Sequence, residues 1–190
     1  MIVSTVFTVS GCRDINDKSH AHAHSGEHAP GATKTITVQD LNFLYFDGQK
    51  LDGNYKVVDL DNNEIELQEI FTKSKIVLRI KEEHCSSCVD FMLKQLNDFV
   101  DKSNIVVLYA HSSRRTVKLK WMDDKLDFPV YITDRNFDDM FKGGEIYVPY
   151  MFVPGPEMII SCFHFPKEGN TEMMKQYLNS VNARLLSGSL

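Results

Sequence analysis

The sequence has no uninterrupted apolar run of about 18 residues, so a transmembrane helix is not expected. Its basic residues form no long run and its net charge is −5, which argues against nucleic-acid binding, where a basic patch or stripe is the usual footprint. Internal repeats are absent, as are motifs for a phosphate, nucleotide or sugar. Four cysteines in 190 residues are too few for a disulfide scaffold. What is present is enough apolar material, 43% of residues, for one proper core. The length then suggests one domain and a tail.

The tail comes first. Residues 2–9 are apolar or small and uncharged, and Ser10-Gly11-Cys12 follows. This resembles a bacterial lipoprotein signal peptide with its lipobox, in which the cysteine becomes the lipidated first residue. The resemblance covers about a dozen positions and lacks the usual positive n-region. It implies a membrane anchor on Cys12 and a location outside the cytoplasm; the other reading of the run is a buried strand with an ordinary cysteine. Residues 13–33 carry almost no large apolar side chains and cannot repay their ordering entropy, so they read as a flexible tether. His20, His22, His24 and His28 lie there, either as plain polar linker residues or as weak ligands for Zn²⁺, Cu²⁺ or Ni²⁺. The expected division is 1–12 signal, 13–34 tether and 35–190 domain.

Within the domain, residues 34–39 and 54–59 and the alternating Glu64–Leu67 read as short strands separated by turns at Asp47-Gly48, Asp52-Gly53 and Asp61-Asn62-Asn63. Gln68–Phe71 reads as a helical turn. Lys75–Ile80 suits a central strand. After it comes Cys85-Ser86-Ser87-Cys88, followed by Val89, Phe91, Met92, Leu93, Leu96, Phe99 and Val100 at helical spacing. The cysteine pair therefore falls at a strand-to-helix junction. Unsatisfied N–H groups and the helix dipole favour a thiolate at Cys85, and Cys88 is one turn away, within reach of a mixed disulfide formed there. Further strands are expected at Asn104–Ala110, Phe128–Thr133, Tyr147–Val153 and Met158–Phe163, the last two around a Pro154-Gly155-Pro156 turn. Helices are expected at 112–122, Asn136–Lys142 and Glu168–Leu186. The pattern predicts a layered α/β fold.

On the strand–CxxC–helix of Ile76–Val100, the hairpin Tyr55–Leu67 and the late Val148-Pro149, the chain resembles the thioredoxin superfamily, and within it the membrane-tethered TlpA and cytochrome-maturation types. The resemblance spans roughly residues 54–187. It implies a central mixed sheet flanked by helices with an N-terminal β-hairpin extension, and a thiol–disulfide oxidoreductase acting on protein dithiols or disulfides without a cofactor. Cys85 and Cys88 would be catalytic. Pro149 would be a cis-proline facing them, and Val148 with Pro149 would pair with a substrate backbone.

His84 stands where the family has tryptophan, either as a histidinium lowering the Cys85 pKa or as a solvated loop residue. Arg79 stands where thioredoxin has its buried acid, which leaves Glu82, Glu83 and Asp90 as candidate proton-handling groups. Cys162, in an apolar strand run, reads as a buried, inert hydrophobe, and Trp121 as core. Two other readings stay open. One is a copper or zinc module joining Cys85 and Cys88 to His84, His111 or His164. The other is a non-catalytic domain with a structural disulfide.

Overall fold

The structure, a computed structural model, describes residues 45–99, 102–142 and 146–187. The expected signal segment, tether and first strand at 34–39 lie outside the described residues, as does Cys12.

A seven-stranded mixed sheet organises the chain, in the order β2-β1-β5-β4-β3-β6-β7. The strands are β1 (Lys56–Val58), β2 (Glu64–Glu66), β3 (Ile76–Lys81), β4 (Ile105–Ala110), β5 (Val130–Thr133), β6 (Tyr150–Pro154) and β7 (Ile160–His164). The helices are α1 (Leu67–Ile70), α2 (Ser86–Asn97), α3 (Arg114–Asp123) and α4 (Thr171–Ser187), with a 3₁₀ segment over Arg135–Met140. β3, β4 and β5 run parallel, while β6 lies antiparallel to β3 and β7 antiparallel to β6. This is the α/β architecture with a hairpin extension that the sequence implies: β1 and β2 pair antiparallel, and β1 joins β5.

β3 is buried along all six residues because both faces of the sheet are covered. Ile76, Leu78 and Ile80 point to a layer filled by Met92, Leu93 and Leu96 of α2, Val117 and Trp121 of α3, and Met174, Leu178 and Val181 of α4. Burying each large side chain of this kind is worth about 1.5–3 kcal/mol. Trp121 is core, as expected, and its indole N–H donates to the Phe128 carbonyl at 3.0 Å. The opposite face is aromatic, with Phe46, Phe137, Phe141, Tyr150, Phe152 and Phe163 around Val77 and Val106.

Three expectations need correction. Tyr147 and Val148 precede β6 rather than opening it, and both are exposed. Proline at 149 withholds a ladder donor, so regular pairing with β3 begins at Tyr150 opposite Arg79. The Val148–Pro149 peptide is trans, the state an X–Pro bond prefers when packing does not override it. Cys162 is buried but is not an inert thiol: it is disulfide-bonded, with its partner outside the described residues. Its φ of +54° accompanies a register shift between β6 and β7, and Ile160 and Phe163, three residues apart, come to share the aromatic face.

Candidate active site

β3 ends at Lys81, and residues 82–85 carry the chain over the C-terminal edge of the parallel strands into α2. The helix starts here because its apolar stripe, Val89, Met92, Leu93 and Leu96, must face the sheet. Cys85 is the N-cap residue, with non-helical backbone angles (φ −50°, ψ 121°). Its side chain is exposed, whereas Cys88, one turn inside, is half-buried. Both are free cysteines.

The two sulfurs have opposite surroundings. Cys85 Sγ lies 3.1 Å from Ser87 Oγ. That hydroxyl, the Cys88 thiol and the backbone N–H groups of Cys88 and Ser87 lower the Cys85 pKa by hydrogen-bonding its anionic form. Cys88 is pushed up to about 12 by the Cys85 sulfur, by burial and by the Glu168 carboxylate. Its thiol donates to Glu168 Oε2 at 3.4 Å. One sulfur is arranged to be the anion and the other to keep its proton.

Glu168 is the residue that sequence reasoning missed. It sits 80 positions from Cys88, in a turn closed by the Asn170 N–H on the Lys167 carbonyl at 3.1 Å. Gly169 has φ +80°, the left-handed angle a type II turn demands at its third residue. Asn170 then caps α4 through its side chain on the Met173 N–H. The turn and cap were readable in Lys167-Glu168-Gly169-Asn170, but nothing local points that turn at the cysteines.

The acids put forward from the sequence lie elsewhere. Glu82 accepts from the Ser112 N–H (2.9 Å) and hydroxyl (3.1 Å), which hold its carboxyl below its usual range, and faces His111 and Arg135. Glu83 approaches Lys81 at 3.9 Å, and Asp90 pairs with Lys120 at 2.7 Å.

His84 is neither a histidinium at neutral pH nor a solvated loop residue. It is 6% exposed, and its Nδ1 accepts the Lys81 N–H at 3.0 Å. Burial, with Lys81 and Arg79 adding repulsion, lowers its pKa to about 4. Nε2 faces the Ile146 carbonyl without a well-formed hydrogen bond. The loop before β6 therefore packs on a neutral imidazole next to Cys85. Extending the β3–β6 register by two places Val148 and Pro149 opposite Lys81 and Ile80, at the end of β3 from which the cysteine loop departs.

Arg79, where an acid was the family expectation, sits in a buried ionic cluster on the aromatic face. Its Nε meets Asp138 at 3.0 Å and its other nitrogens reach Thr133 Oγ1 (2.6 Å) and the Asp134 carbonyl (3.2 Å). Lys81 Nζ reaches the second Asp138 oxygen at 3.2 Å, and the Tyr150 hydroxyl donates to the first at 2.9 Å. Two buried cations thus share one buried carboxylate.

The other two described histidines, His111 and His164, have partners of their own. His111 Nδ1 accepts the Ser113 N–H at 2.8 Å, and His164 stacks on Tyr177 at 4.5 Å. Among the described residues, the group of ligand type near the cysteines is Glu168: it, Cys85 and Cys88 bring one donor atom each within 4.8 Å of one another.

The sequence matches no protein-family model and no curated protein. The fold does match solved structures. A thiol:disulfide interchange protein of the thioredoxin family from Chlorobium tepidum TLS aligns at 13% identity, covering 70% of this chain and 96% of that one, with a TM-score of 0.51. The thioredoxin domain of a thiol-disulfide oxidoreductase from Bacteroides vulgatus aligns at 17% identity, over 69% and 96%, with a TM-score of 0.51. A DsbF homologue from Corynebacterium diphtheriae aligns at 14% identity, over 83% and 99%, with a TM-score of 0.53. The fold is thioredoxin-like.

Proposed function

We propose that this chain is a thiol–disulfide oxidoreductase that works outside the cytoplasm on protein thiols. The observation that carries the chemistry is the asymmetric pair at the β3–α2 junction: an exposed Cys85 whose thiolate is favoured, and a sheltered Cys88 that keeps its proton. The Cys85 thiolate attacks one sulfur of a substrate disulfide, and the substrate's other sulfur leaves as a thiolate. Cys88 then gives up its proton and attacks Cys85 Sγ, releasing the substrate's second sulfur. The substrate gains two electrons and the pair becomes a disulfide; in the opposite direction it oxidises a dithiol. The carboxylate that accepts the Cys88 hydrogen bond is placed to take that proton.

Val148 and Pro149 supply the docking edge, since Tyr147 and Val148 are exposed apolar residues beside the cysteine loop. A location outside the cytoplasm is supported by the disulfide at Cys162, since such bonds persist in oxidising compartments, and the polar, His-rich stretch at 13–34 reads as a tether. No helix among the described residues is long and apolar enough to cross a membrane. One solved structure sharing the fold is named a secreted disulfide oxidoreductase, from Mycobacterium tuberculosis, at 10% identity and a TM-score of 0.50, in keeping with such a location.

The test is the midpoint potential of the Cys85–Cys88 pair, from thiol quantification of metal-free protein in glutathione or dithiothreitol buffers. A reversible two-electron transition is expected, and its value gives the physiological direction. A pair that resists reduction until the protein unfolds would overturn the proposal in favour of a structural bridge.

A further inference from the structure

The reduced site places two sulfurs and a carboxylate oxygen around one point. Cys88 Sγ and Glu168 Oε2 are 3.4 Å apart, and Cys85 Sγ completes a triangle with no side longer than 4.8 Å. A tetrahedral zinc ion with ordinary Zn–S and Zn–O bonds would hold its sulfur and oxygen ligands ~3.6 Å apart and its two sulfurs ~3.8 Å apart. The existing triangle therefore needs only small side-chain adjustments to close on such an ion. Its components come from the α2 N-terminus and the turn before α4, with Gly169 and the Asn170 cap fixing the latter.

Among the described residues no fourth His, Cys, Asp or Glu joins the three. We infer that the reduced Cys85–Cys88 pair together with Glu168 is a three-ligand site for a borderline divalent cation of the Zn²⁺ class, with a fourth, open position on the exposed side of Cys85. Two thiolates with one carboxylate suit Zn²⁺ better than Cu(I), which favours sulfur alone, or Mg²⁺ and Ca²⁺, which favour oxygen alone. Binding is not a redox step. The metal replaces whichever thiol protons remain on Cys85 and Cys88, up to two, and forms two metal–sulfur bonds and one metal–oxygen bond.

The site exists only while the pair is reduced. In the disulfide both sulfurs are spent on each other, so oxidation expels the ion and metal binding withholds the nucleophile. Glu168 carries the selectivity of the inference, because a bare CxxC would offer two ligands and no oxygen. The inference rests on the pair being reversibly reducible, as in the proposed function, but adds an occupant and a third ligand.

The experiment uses the full chain, reduced with a phosphine and titrated with Co²⁺, then with competing Zn²⁺. A near-ultraviolet thiolate-to-cobalt charge-transfer band is the readout. It reports sulfur ligation and is blind to imidazoles of the His-rich segment at 20–28. The band is expected to saturate at one equivalent, to vanish on adding Zn²⁺, and to be missing in the disulfide form and in Cys85→Ser/Cys88→Ser. E168Q, an exposed-turn change that preserves shape, should weaken Co²⁺ binding at least about tenfold, the lower end of what even an outer-shell ligand partner costs. A missing band in the reduced wild type overturns the site, as does an E168Q protein that binds equally well. A reversible midpoint in chelator without any cobalt band sinks the metal site alone and leaves the exchange activity standing.

Discussion

At the residue scale, a step of three sequence positions makes the two cysteines inequivalent. Cys85 caps the helix and faces solvent, and Cys88 is tucked against Glu168 with its pKa near 12. Brief treatment with iodoacetamide at neutral pH should alkylate Cys85 at least about tenfold faster than Cys88, because the thiolate is the reactive form. Peptide mass spectrometry reads the ratio, and equal labelling would contradict the asymmetry.

His84 gives a second residue-scale prediction. A folded pKa of about 4 against the ordinary histidine value of 6.5 means that the unfolded chain takes up this proton first as pH falls. The stability His84 contributes is complete above pH 6.5 and drains away toward pH 4, by about 3 kcal/mol. Asp47 opposes it, since burial raises its carboxyl to about 6 and acidification relieves that cost. His84→Asn isolates the histidine: Asn Oδ1 can accept the Lys81 N–H but does not titrate. Urea titrations at pH 7 and pH 4.5 should show the variant losing less stability than wild type on acidification. Parallel losses would mean that the imidazole is not buried neutral.

At the scale of elements, the β3–turn–α2 unit was the legible part, because its signals are local. A compact apolar run, a cysteine pair and a stripe at helical spacing fall within Ile76 to Asn97. The helix ends at Asn97, a turn earlier than the apolar residues Phe99 and Val100 suggested, with Asp98 as its C-cap. What was not legible is what comes from far along the chain. Asp138 lies 59 positions from Arg79, and Glu168 lies 80 from Cys88; neither has a periodicity or motif that could announce its partner. Arg79 looked like a missing acid and is instead one of two cations that tie β3 to the 3₁₀ segment and β6 through Asp138. Asp138→Ala would strand both cations in the aromatic layer, and it should cost about 3–5 kcal/mol, the usual toll of breaking a buried ionic group from one side. Chemical denaturation measures it. A loss under about 1 kcal/mol would show that Arg79 and Lys81 find other partners.

At the scale of the whole molecule, the two-faced burial of the sheet explains why the fold class could be read and the site only half read. Continuous apolar strands such as Ile76-Val77-Leu78 and Ile105–Ala110 demand cover on both sides, and that demand is visible in composition. Which polar side chains the covering loops then bring together is decided by topology. The acidic turn arrives at the cysteines only because β6 and β7 run back along β3 and release the chain toward α4 at the same end.

The strand order carries one more implication, for how the molecule comes apart. β3 and β4 are paired over six residues, and β4 and β5 over four, yet the β1–β2 hairpin meets β5 at a single registered pair, Val58 opposite Ile132. Opening that seam breaks a single ladder contact at the cost of uncovering Val57 and Leu67 of the aromatic layer, and leaves the pairing of the parallel strands intact. Native-state deuterium uptake should therefore reach the hairpin amides through a low-energy partial opening, while those of β3 and β4 wait for global unfolding. Matched uptake in both would make the extension an integral part of one cooperative unit. With separate rates, the hairpin is an outer leaf that can detach while the cysteine pair stays in place.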